Sequence, residues 1–351
     1  MRGESEVWVE RRGCAAFLTL NRPQALNALT LGMVRDIAAA LDEFERDAGI
    51  ERIVVTGAGE RAFCAGGDIR WLYERGLAGD HDAQLAFWRE EYILNARIKR
   101  YPKPYVALID GIVMGGGVGL SIHGSHRVVT ETAVFAMPEV GIGFFPDVGA
   151  TWALRRLPHQ IGVAMAATGL RAGGADMAVL GLATAYAERS ALPALTAALE
   201  RPGDTGAIIG GFSSSAPAAP LMAEAATIEA AFAVPDIDRI SAGLSAADTD
   251  FARKLLDMLW TKSPTSLAIA LRQMQLGASL LFEDVMRLDF RIVSRICRGH
   301  DFYEGVRATI VDKDNQPVWR PAAGERPDPG AIEAYFAPLG ADELKIRGDA
   351  R

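Results

Sequence analysis

Residues 61–147 contain two glycine clusters whose backbone groups could act on a carbonyl compound. Gly66-Gly67 and Gly115-Gly116-Gly117 each follow a short apolar run. The N–H groups of Gly67 and Gly116 could donate hydrogen bonds to one carbonyl oxygen and stabilise the negative charge that develops on it. Either cluster alone is also compatible with a tight turn or with close packing of a helix on a strand. Together they predict an acyl-transfer site that uses no serine, cysteine or metal.

Two carboxylates belong to the apolar segment that comes next. Glu139 lies in the run 135–145, where partial burial should raise the pKa of its side chain towards values useful for acid–base catalysis. Asp147 follows eight residues later, directly after Pro146. An alternative role for Asp147 is to cap the N-terminus of a helix that begins near Gly149. The pair predicts acid–base chemistry, with helix capping as the competing interpretation of Asp147.

A third candidate acid, Glu91, belongs to a predicted helix over residues 80–100. At 100° per residue, Phe87, Leu94 and Ile98 lie within about 40° of one another, and Glu91 falls on the same stripe. A carboxylate within an apolar stripe is more informative than one on a solvated face. The alternative interpretation is an ion pair with an arginine at the edge of the core.

The loops that carry these groups each follow a predicted strand, over residues 53–57, 104–111 and 133–137. The arrangement of strand, loop and helix recurs three times at irregular spacing, which indicates a spiral of similar units rather than a strict repeat. The remaining predicted strands cover 7–9, 15–20 and 126–129. The remaining predicted helices cover 30–47 with Thr30 as N-cap, 117–123, a helix to about 276 capped by the run Ser263-Pro264-Thr265-Ser266, 280–298 and 332–336.

Helices dominate the predicted structure after Thr151. The stretch 201–220 is rich in glycine, serine and proline, and it is predicted to form a linker or surface loop. We therefore predict two parts: a spiral core over residues 1–185 and a mostly helical C-terminal region over 186–351 that includes this loop.

Two other motifs offer weaker alternatives. The G-x-G-x-x-A pattern at residues 57–62 is typical of a dinucleotide-binding loop, but an apolar run follows where a helix should begin. His123 and His126 form an H-x-x-H pair, yet no acid or cysteine stands at metal-ligand spacing. The sequence has neither the G-K-[S/T] of a P-loop nor the G-x-S-x-G of a serine hydrolase. We predict no metal site and no separate cofactor.

The composition argues against several classes of protein. The net charge of -7 and the pI of about 5.4 disfavour nucleic-acid binding. Cys14, Cys64 and Cys297 are far apart and form no CxxC pair, which disfavours a disulfide framework and fits a reducing compartment. The sequence shows no signal or transit peptide, and no apolar stretch reaches the roughly 18 residues of a membrane span. These features predict a cytoplasmic protein without a nucleic-acid or membrane partner.

The chain resembles the crotonase (enoyl-CoA hydratase/isomerase) superfamily, and within it is most similar to the 3-hydroxyisobutyryl-CoA hydrolase branch. The likeness covers residues 16–319 and is weakest over 185–250. The matching stretches are LTLNRPQALNALTLGMV, GAGERAFCAGGDIR, FWREEYILN, KPYVALIDGIVMGGGVGLS, FAMPEVGIGFFPDVGA, SPTSLAIALRQM and RGHDFYEGVRATIVDKDNQPVW. The resemblance implies an α/β fold, namely a crotonase-like spiral of ββα units with a C-terminal helical region. It also implies a possible homotrimer or hexamer, with a monomer as the alternative in this branch.

The resemblance also assigns roles to individual residues. Members of the family polarise the thioester carbonyl of an acyl-CoA with two backbone N–H groups, and the corresponding positions here are Gly67 and Gly116. The segment from Arg22 to Leu29, which includes Leu26, and the backbone of Ala65 correspond to residues that hold the CoA nucleotide. The CoA is part of the substrate, so the resemblance implies no further cofactor.

One departure from the family pattern bears on the reaction. Hydratases of the family use two glutamates on the same water, and the first of these positions is Gly119 here, whereas the second is Glu139. In the hydrolase branch the acids correspond instead to Glu91, Glu139 and Asp147. The resemblance therefore implies hydrolysis of a short branched 3-hydroxyacyl-CoA, such as 3-hydroxyisobutyryl-CoA from valine breakdown. The alternatives are a hydratase or isomerase acting on another short acyl-CoA and a CoA-binding module without activity.

The implied mechanism leaves two routes open for Glu139. Its carboxylate either attacks the carbonyl to form a mixed anhydride or activates water as a general base. Asp147 would orient the substrate hydroxyl or help to protonate the leaving thiolate. Glu91 would line the acyl pocket, so that the substrate-binding residues are Glu91, Gly116, Glu139 and Asp147.

Overall fold

The computed structural model describes residues 5–346 and contains short strands up to residue 186 and helices throughout. The strands are β1 (Val7–Arg12), β2 (Ala15–Leu20), β3 (Arg52–Gly57), β4 (Ala62–Cys64), β5 (Tyr105–Ile109), β6 (Ile112–Met114), β7 (His126–Val129), β8 (Val134–Ala136), β9 (Ala172–Gly173) and β10 (Ala185–Tyr186). The helices are α1 (Leu31–Arg46), α2 (Ile69–Leu77), α3 (His81–Lys99), α4 (Gly116–Ser121), α5 (Ala150–Leu154), α6 (Ile161–Thr168), α7 (Gly174–Val179), α8 (Leu192–Leu199), α9 (Thr205–Gly210), α10 (Pro220–Ala223), α11 (Ala225–Phe232), α12 (Ile237–Ala247), α13 (Asp250–Trp260), α14 (Pro264–Leu276), α15 (Phe282–Ile296), α16 (His300–Val306) and α17 (Pro329–Ala334).

The strands form two sheets. The larger sheet has the order β1-β2-β3-β5-β7-β10, and the smaller has the order β4-β6-β8-β9. The predicted hairpin of β1 and β2 is confirmed: Arg12 pairs with Ala15 across a two-residue loop. The other neighbours in the larger sheet are parallel, and β5 is buried along its whole length, as expected for a strand covered on both faces.

Several predicted helices and their caps are confirmed. Thr30 accepts a hydrogen bond from the N–H of Met33 at 3.1 Å and caps α1. Ser263 likewise accepts from the N–H of Ser266 at 3.1 Å and caps α14. Helix α2 was not predicted, and the side chain of Asp68 caps its N-terminus. These side chains satisfy backbone donors that the first helical turn leaves unpaired.

Contacts within the chain define two compact units, each assembled from separate stretches. The first unit comprises residues up to 67, 93–135 and 172–219, and it holds both sheets, with β8 ending at its boundary. The second unit comprises 68–92, 136–171 and the residues from 220 onward, and it is helical. The boundary predicted between 185 and 186 stays a prediction. Within residues 5–346 no strand follows β10, which confirms the predicted helical C-terminal region.

The segment predicted as a loop over 201–220 contains a helix of the first unit. Asp204 caps α9 by accepting a hydrogen bond from the N–H of Ala207 at 2.7 Å. Ile209 on this helix is 4% exposed and belongs to an apolar cluster that includes Phe17 and Val54 of the larger sheet. The buried residues of this six-residue helix are Thr205 and Ile209, too few to give a detectable period, so the glycine-rich composition predicted a loop instead.

The second unit has an apolar core of helices and aromatic rings. All eight residues of α6 are buried, and this helix packs against α14. The rings of Trp88 and Phe144 stack with centroids 5.5 Å apart, and Phe302 packs against both. No helix within residues 5–346 is both long and apolar enough to cross a lipid bilayer.

Candidate active site

The two glycine loops predicted to act together are neighbours within the first unit. Gly66 has a φ of +120°, and a Cβ built on it would lie 3.8 Å from the backbone nitrogen of Gly116. A Cβ on Gly117 would lie 2.2 Å from the carbonyl oxygen of Cys64, so only glycine permits this approach of α4 to β4. The loops of Gly67 and Gly116 are therefore held side by side. Their function as paired N–H donors stays a prediction.

The segment that resembles the CoA-binding stretch is hydrogen-bonded to the first glycine loop. The N–H of Ala65 donates to the carbonyl oxygen of Leu26 at 3.0 Å, and the N–H of Leu29 donates to the carbonyl oxygen of Gly66 at 2.8 Å. The guanidinium of Arg22 donates to the carbonyl oxygen of Ala28 at 2.6 Å and closes the turn. The structure thus brings Arg22, Leu26 and Ala65 into one loop cluster of the first unit.

The three predicted acids all belong to the second unit and are buried. Glu91 on α3 is 2% exposed, Asp147 in the loop before α5 is 5% exposed, and Glu139 is 7% exposed. Glu139 begins a 3-10 turn, Glu139–Ile142, that ends at Gly143 with a φ of +70°. A Cβ on Gly143 would lie 1.9 Å from the carbonyl oxygen of Asp301, so α16 lies directly against this turn.

Burial and mutual repulsion raise the pKa values of these acids and so favour their protonated forms. Burial raises the pKa of Glu91 and of Glu139 well above the ordinary value of 4.5, and the negative charge of Asp147 raises both further. Burial raises the pKa of Asp147 to about 7, against the lowering effect of a hydrogen bond from Tyr92. The Tyr92 hydroxyl donates this bond to Oδ2 of Asp147 at 2.7 Å. Such a cluster can accept or release protons near neutral pH, as acid–base catalysis requires.

Among the described residues, neither the helix cap considered for Asp147 nor the arginine ion pair considered for Glu91 is observed. Asp147 bonds to Tyr92 instead of capping a helix, and the N-cap of α5 is Gly149, which has no side chain to offer. Across the described part of the chain, Oε1 of Glu91 and Oε2 of Glu139 are buried without a hydrogen-bond partner. Buried carboxylate oxygens without a partner are costly, so their retention points to a group that binds there.

Three polar residues around Asp147 were not predicted. They are Tyr92 on α3, Gln273 on α14 and Asp289 on α15, each with no exposed surface. Asp289 lies on the apolar stripe of α15 with Val285, Met286 and Val293, which is the same signal that singled out Glu91. The stripe could therefore have identified Asp289, whereas nothing near Tyr92 in the sequence indicates its bond to Asp147.

The backbone next to Asp147 is strained. Val148 has a φ of +52° and Gly149 a φ of +74°, and Val148 is completely buried. Valine is branched at Cβ and rarely adopts a positive φ, at a cost on the order of 1–3 kcal/mol. Strain of this kind persists only where surrounding contacts fix it, and it concentrates at functional sites.

The other motifs do not form sites. The G-x-G-x-x-A stretch continues into β4 instead of a helix, so it lacks the helix N-terminus that binds a dinucleotide. His126 bonds to the hydroxyl of Ser125 at 2.9 Å. Over residues 5–346 no three His, Cys, Asp or Glu side chains are grouped as a metal site would require.

Comparison with known proteins places this arrangement in a family. A family model described as "Enoyl-CoA hydratase/isomerase" matches residues 15–336. The chain is 42% identical to "3-hydroxyisobutyryl-CoA hydrolase, mitochondrial" of Xenopus tropicalis over 98% of this chain and 91% of the relative. It is 40% identical to the human protein of the same name over 97% of this chain and 91% of that protein. The predicted cytoplasmic location is wrong by this comparison, because these relatives are named as mitochondrial proteins.

Two solved structures have the same fold over the whole chain. A carnitinyl-CoA dehydratase from Mycobacterium thermoresistibile has a TM-score of 0.94 at 41% identity, over 99% of this chain and 100% of that one. An enoyl-CoA hydratase from Rhodobacter sphaeroides has a TM-score of 0.92 at 42% identity, over 97% and 100% of the two chains. These likenesses confirm the predicted crotonase-like spiral with its C-terminal helical region. The chain belongs to the enoyl-CoA hydratase/isomerase, or crotonase, family.

Proposed function

We propose that this chain hydrolyses the thioester of 3-hydroxyisobutyryl-CoA, a step of valine degradation, and releases 3-hydroxyisobutyrate and CoA. The observation that carries the proposal is the buried cluster of Glu91, Glu139 and Asp147 in the second unit. Relatives that are 40–42% identical over nearly the whole chain are named for this activity. The reaction consumes only water and the thioester and needs no cofactor.

In this proposal the glycine loops of the first unit polarise the thioester. The N–H groups of Gly67 and Gly116 donate to the carbonyl oxygen, which becomes negatively charged as the carbonyl carbon is attacked. One such donor contributes roughly 3–4 kcal/mol of transition-state stabilisation. The loop cluster of Arg22, Leu26 and Ala65 holds the CoA nucleotide.

Glu139 carries out the cleavage by one of two balanced routes. As a nucleophile, its carboxylate forms a bond to the carbonyl carbon, the C–S bond breaks, and the thiolate of CoA takes a proton. Water then hydrolyses the resulting anhydride and restores Glu139. As a general base, Glu139 takes a proton from water while the water oxygen attacks the carbonyl carbon. The C–S bond then breaks, and the thiolate of CoA takes that proton. Both routes need an ionised Glu139, so activity should fall at acid pH.

The other two acids select and orient the acyl group. The pKa of Asp147 is about 7, so both of its forms are populated near neutral pH. The ionised form accepts a hydrogen bond from the 3-hydroxyl of the substrate, or the protonated form passes its proton to the leaving thiolate. Burial raises the pKa of Glu91 well above 4.5 and so favours its neutral form. Glu91 lines the acyl pocket as a neutral hydrogen-bonding group.

Hydration of a double bond is the second candidate, because the two solved structures described above, with TM-scores of 0.94 and 0.92, are titled as a dehydratase and a hydratase. The hydratase reaction of this family places two glutamates on one water. Gly119 occupies the first of those positions in this chain and is buried within α4. A glycine has no side chain with which to bind that water, so hydrolysis is the better-supported reaction.

An assay that reads both reactions separates the candidates. The chain is incubated with 3-hydroxyisobutyryl-CoA, with its straight-chain 3-hydroxy analogue and with crotonyl-CoA. Free thiol and loss of the conjugated double bond are followed in parallel. We expect thiol release with the branched 3-hydroxyacyl-CoA and no hydration of crotonyl-CoA. Hydration without thiol release would reject the proposal, and binding without either reaction would indicate a CoA-binding module.

Labelled water distinguishes the two routes for Glu139. A reaction in ¹⁸O-water by the anhydride route can place the label in the peptide that contains Glu139, when water attacks the protein side of the anhydride. The general-base route places the label in the released acid alone.

Light scattering during gel filtration would show whether the active species is a monomer, trimer or hexamer.

A further inference from the structure

Two fully buried side chains hold the loop of Asp147 on both of its sides. Gln273 Nε2 donates to the carbonyl oxygen of Pro146 at 3.0 Å. Asp289 Oδ2 accepts from the N–H of Gly149 at 2.8 Å. Gln273 Nε2 also donates to Asp289 Oδ1 at 2.7 Å, which joins the two side chains. The pair connects the residue before Asp147 to the second residue after it.

This loop needs such support because of its backbone. Val148 and Gly149 both have positive φ values, and the valine side chain is buried in that conformation. Left alone, the loop would relax towards negative φ at Val148 and turn the Asp147 side chain away from its present direction. The hydrogen bond from Gly149 to Asp289 opposes that relaxation.

We propose that Asp289 and Gln273 are positioning residues that fix the peptide groups around Asp147 and so hold its carboxylate against the Tyr92 hydroxyl. The inference rests on the proposed function, because a positioned Asp147 matters for turnover only if Asp147 takes part in it. It adds two residues from helices α14 and α15 to the three acids of the site.

The chemistry of Asp289 favours this role over simple packing. A carboxyl group buried completely in a helix stripe destabilises a fold unless it has strong partners. The hydrogen-bond partners of Asp289 within the described chain are the two N–H donors of this arrangement. Burial raises the pKa of Asp289 well above 3.8, and the charge of Asp147 raises it further, although the N–H of Gly149 lowers it. A leucine would fill the same space at a lower cost in folding free energy. The acid is therefore explained by its hydrogen bonds to the loop and not by packing.

Single and double substitutions test the hydrogen-bond pattern. In Asp289→Asn, the new NH2 group faces either the Gly149 N–H or the Gln273 NH2, so one bond becomes a clash of two donors. In Gln273→Glu, the donor to the Pro146 carbonyl is lost unless the new acid is protonated. In the double variant, the introduced asparagine accepts from Gly149 and donates to the introduced glutamic acid. That acid, when protonated, donates in turn to Pro146, so all three bonds can form again.

We expect each single variant to lower kcat at least about tenfold with little change in KM, because a displacement of a catalytic group by about 1 Å can cost a hundredfold in rate. The double variant should recover most of the lost kcat. Asp176→Asn is the matched control, since Asp176 is also buried and accepts a backbone N–H, from Gly173 at 3.1 Å in the first unit. Its kcat should stay near that of the unchanged chain.

A readout independent of turnover keeps the inference separate from the proposed function. Hydrogen exchange at the Gly149 amide should accelerate at least about tenfold in Asp289→Asn and return towards the original rate in the double variant. Asp147→Asn is assayed alongside. If it keeps full turnover, the proposed role of Asp147 is wrong, and hydrogen exchange alone then decides whether Asp289 holds the loop. If Asp147→Asn loses turnover while Asp289→Asn keeps both kcat and slow exchange at Gly149, the positioning role is refuted.

Discussion

Replacing Asp147 by asparagine should make the folded chain more stable at alkaline pH although it lowers activity. Asp147 is buried, and its pKa of about 7 stands well above the ordinary 3.8. A buried acid with a raised pKa prefers to be protonated in the folded state. Its contribution to stability is complete below pH 3.8, declines as the pH rises, and is lost as the pH passes through about 7. Asparagine resembles the protonated form and does not suffer that loss.

The size of the effect follows from the two pKa values. They differ by about 3, and each pKa unit corresponds to about 1.4 kcal/mol, so the ionised carboxylate costs on the order of 4 kcal/mol at pH 8.5. Asparagine keeps an acceptor for the Tyr92 hydroxyl but loses the charge of the present bond, which offsets about 1–2 kcal/mol of the gain. The expected net stabilisation is about 2–3 kcal/mol at pH 8.5 and close to zero, or negative, at pH 4.

Urea denaturation at the two pH values measures this difference directly. The free energy of unfolding is obtained for both chains at pH 8.5 and at pH 4, with equal m-values as the check that unfolding stays two-state. Asp238→Asn is the control, because Asp238 is exposed and a hydrogen bond from Arg326 lowers the pKa of its carboxyl. That variant should gain nothing at alkaline pH. If Asp147→Asn is no more stable than the unchanged chain at pH 8.5, the ionised carboxylate of Asp147 does not destabilise the folded state, and the prediction is wrong.

Three further predictions concern the site and its scaffold. Glu139→Gln should lower turnover at least about a hundredfold in the thiol assay while calorimetry shows CoA binding unchanged, and near-normal turnover would remove Glu139 from its role. Tyr92→Phe removes the hydrogen bond that lowers the pKa of Asp147, so that pKa should rise above about 7. The acid limb of the kcat/KM profile should then move to higher pH, and an unmoved limb would show that Asp147 does not govern it. Gly117→Ala should cost at least about 2 kcal/mol in urea unfolding, because its Cβ would lie 2.2 Å from a carbonyl oxygen of β4. Its control is Gly210→Ala, at an exposed helical position where an added Cβ would meet no atom within 4 Å. That substitution should leave the free energy of unfolding unchanged or raise it.

Local patterns were sufficient to find the groups that depend on local geometry. The period of α3 placed Glu91 on the buried stripe, and Glu91 is 2% exposed. The apolar run around Glu139 predicted its burial and its raised pKa. Thr30 and the run 263–266, within which Ser263 accepts the capping bond, were identified because a cap depends on residues only three positions away. The recurring order of strand, loop and helix was likewise predicted from signals within short windows of sequence.

The missed features depend on residues far apart in the chain. Asp289 meets Gly149 across 140 positions, and Gln273 meets Pro146 across 127. A period shows that Asp289 faces inward but not which loop it meets there. The same limit explains the helix in the predicted loop over 201–220, since Ile209 is buried by strands of the larger sheet that lie far away in the sequence. Tertiary packing, which no local window contains, decided each of these cases.

The assembly of each unit from separate stretches has a consequence for how the chain is made. The segments that carry Glu139 and Asp147 leave the ribosome well over a hundred residues before α14 and α15, which supply Gln273 and Asp289. Until then the fully buried helix α6 lacks its α14 partner. A nascent chain of this kind exposes apolar surface for many seconds of translation, and we expect chaperones to bind it. Early termination anywhere before α15 would leave the loop of Asp147 without its hydrogen bond to Asp289.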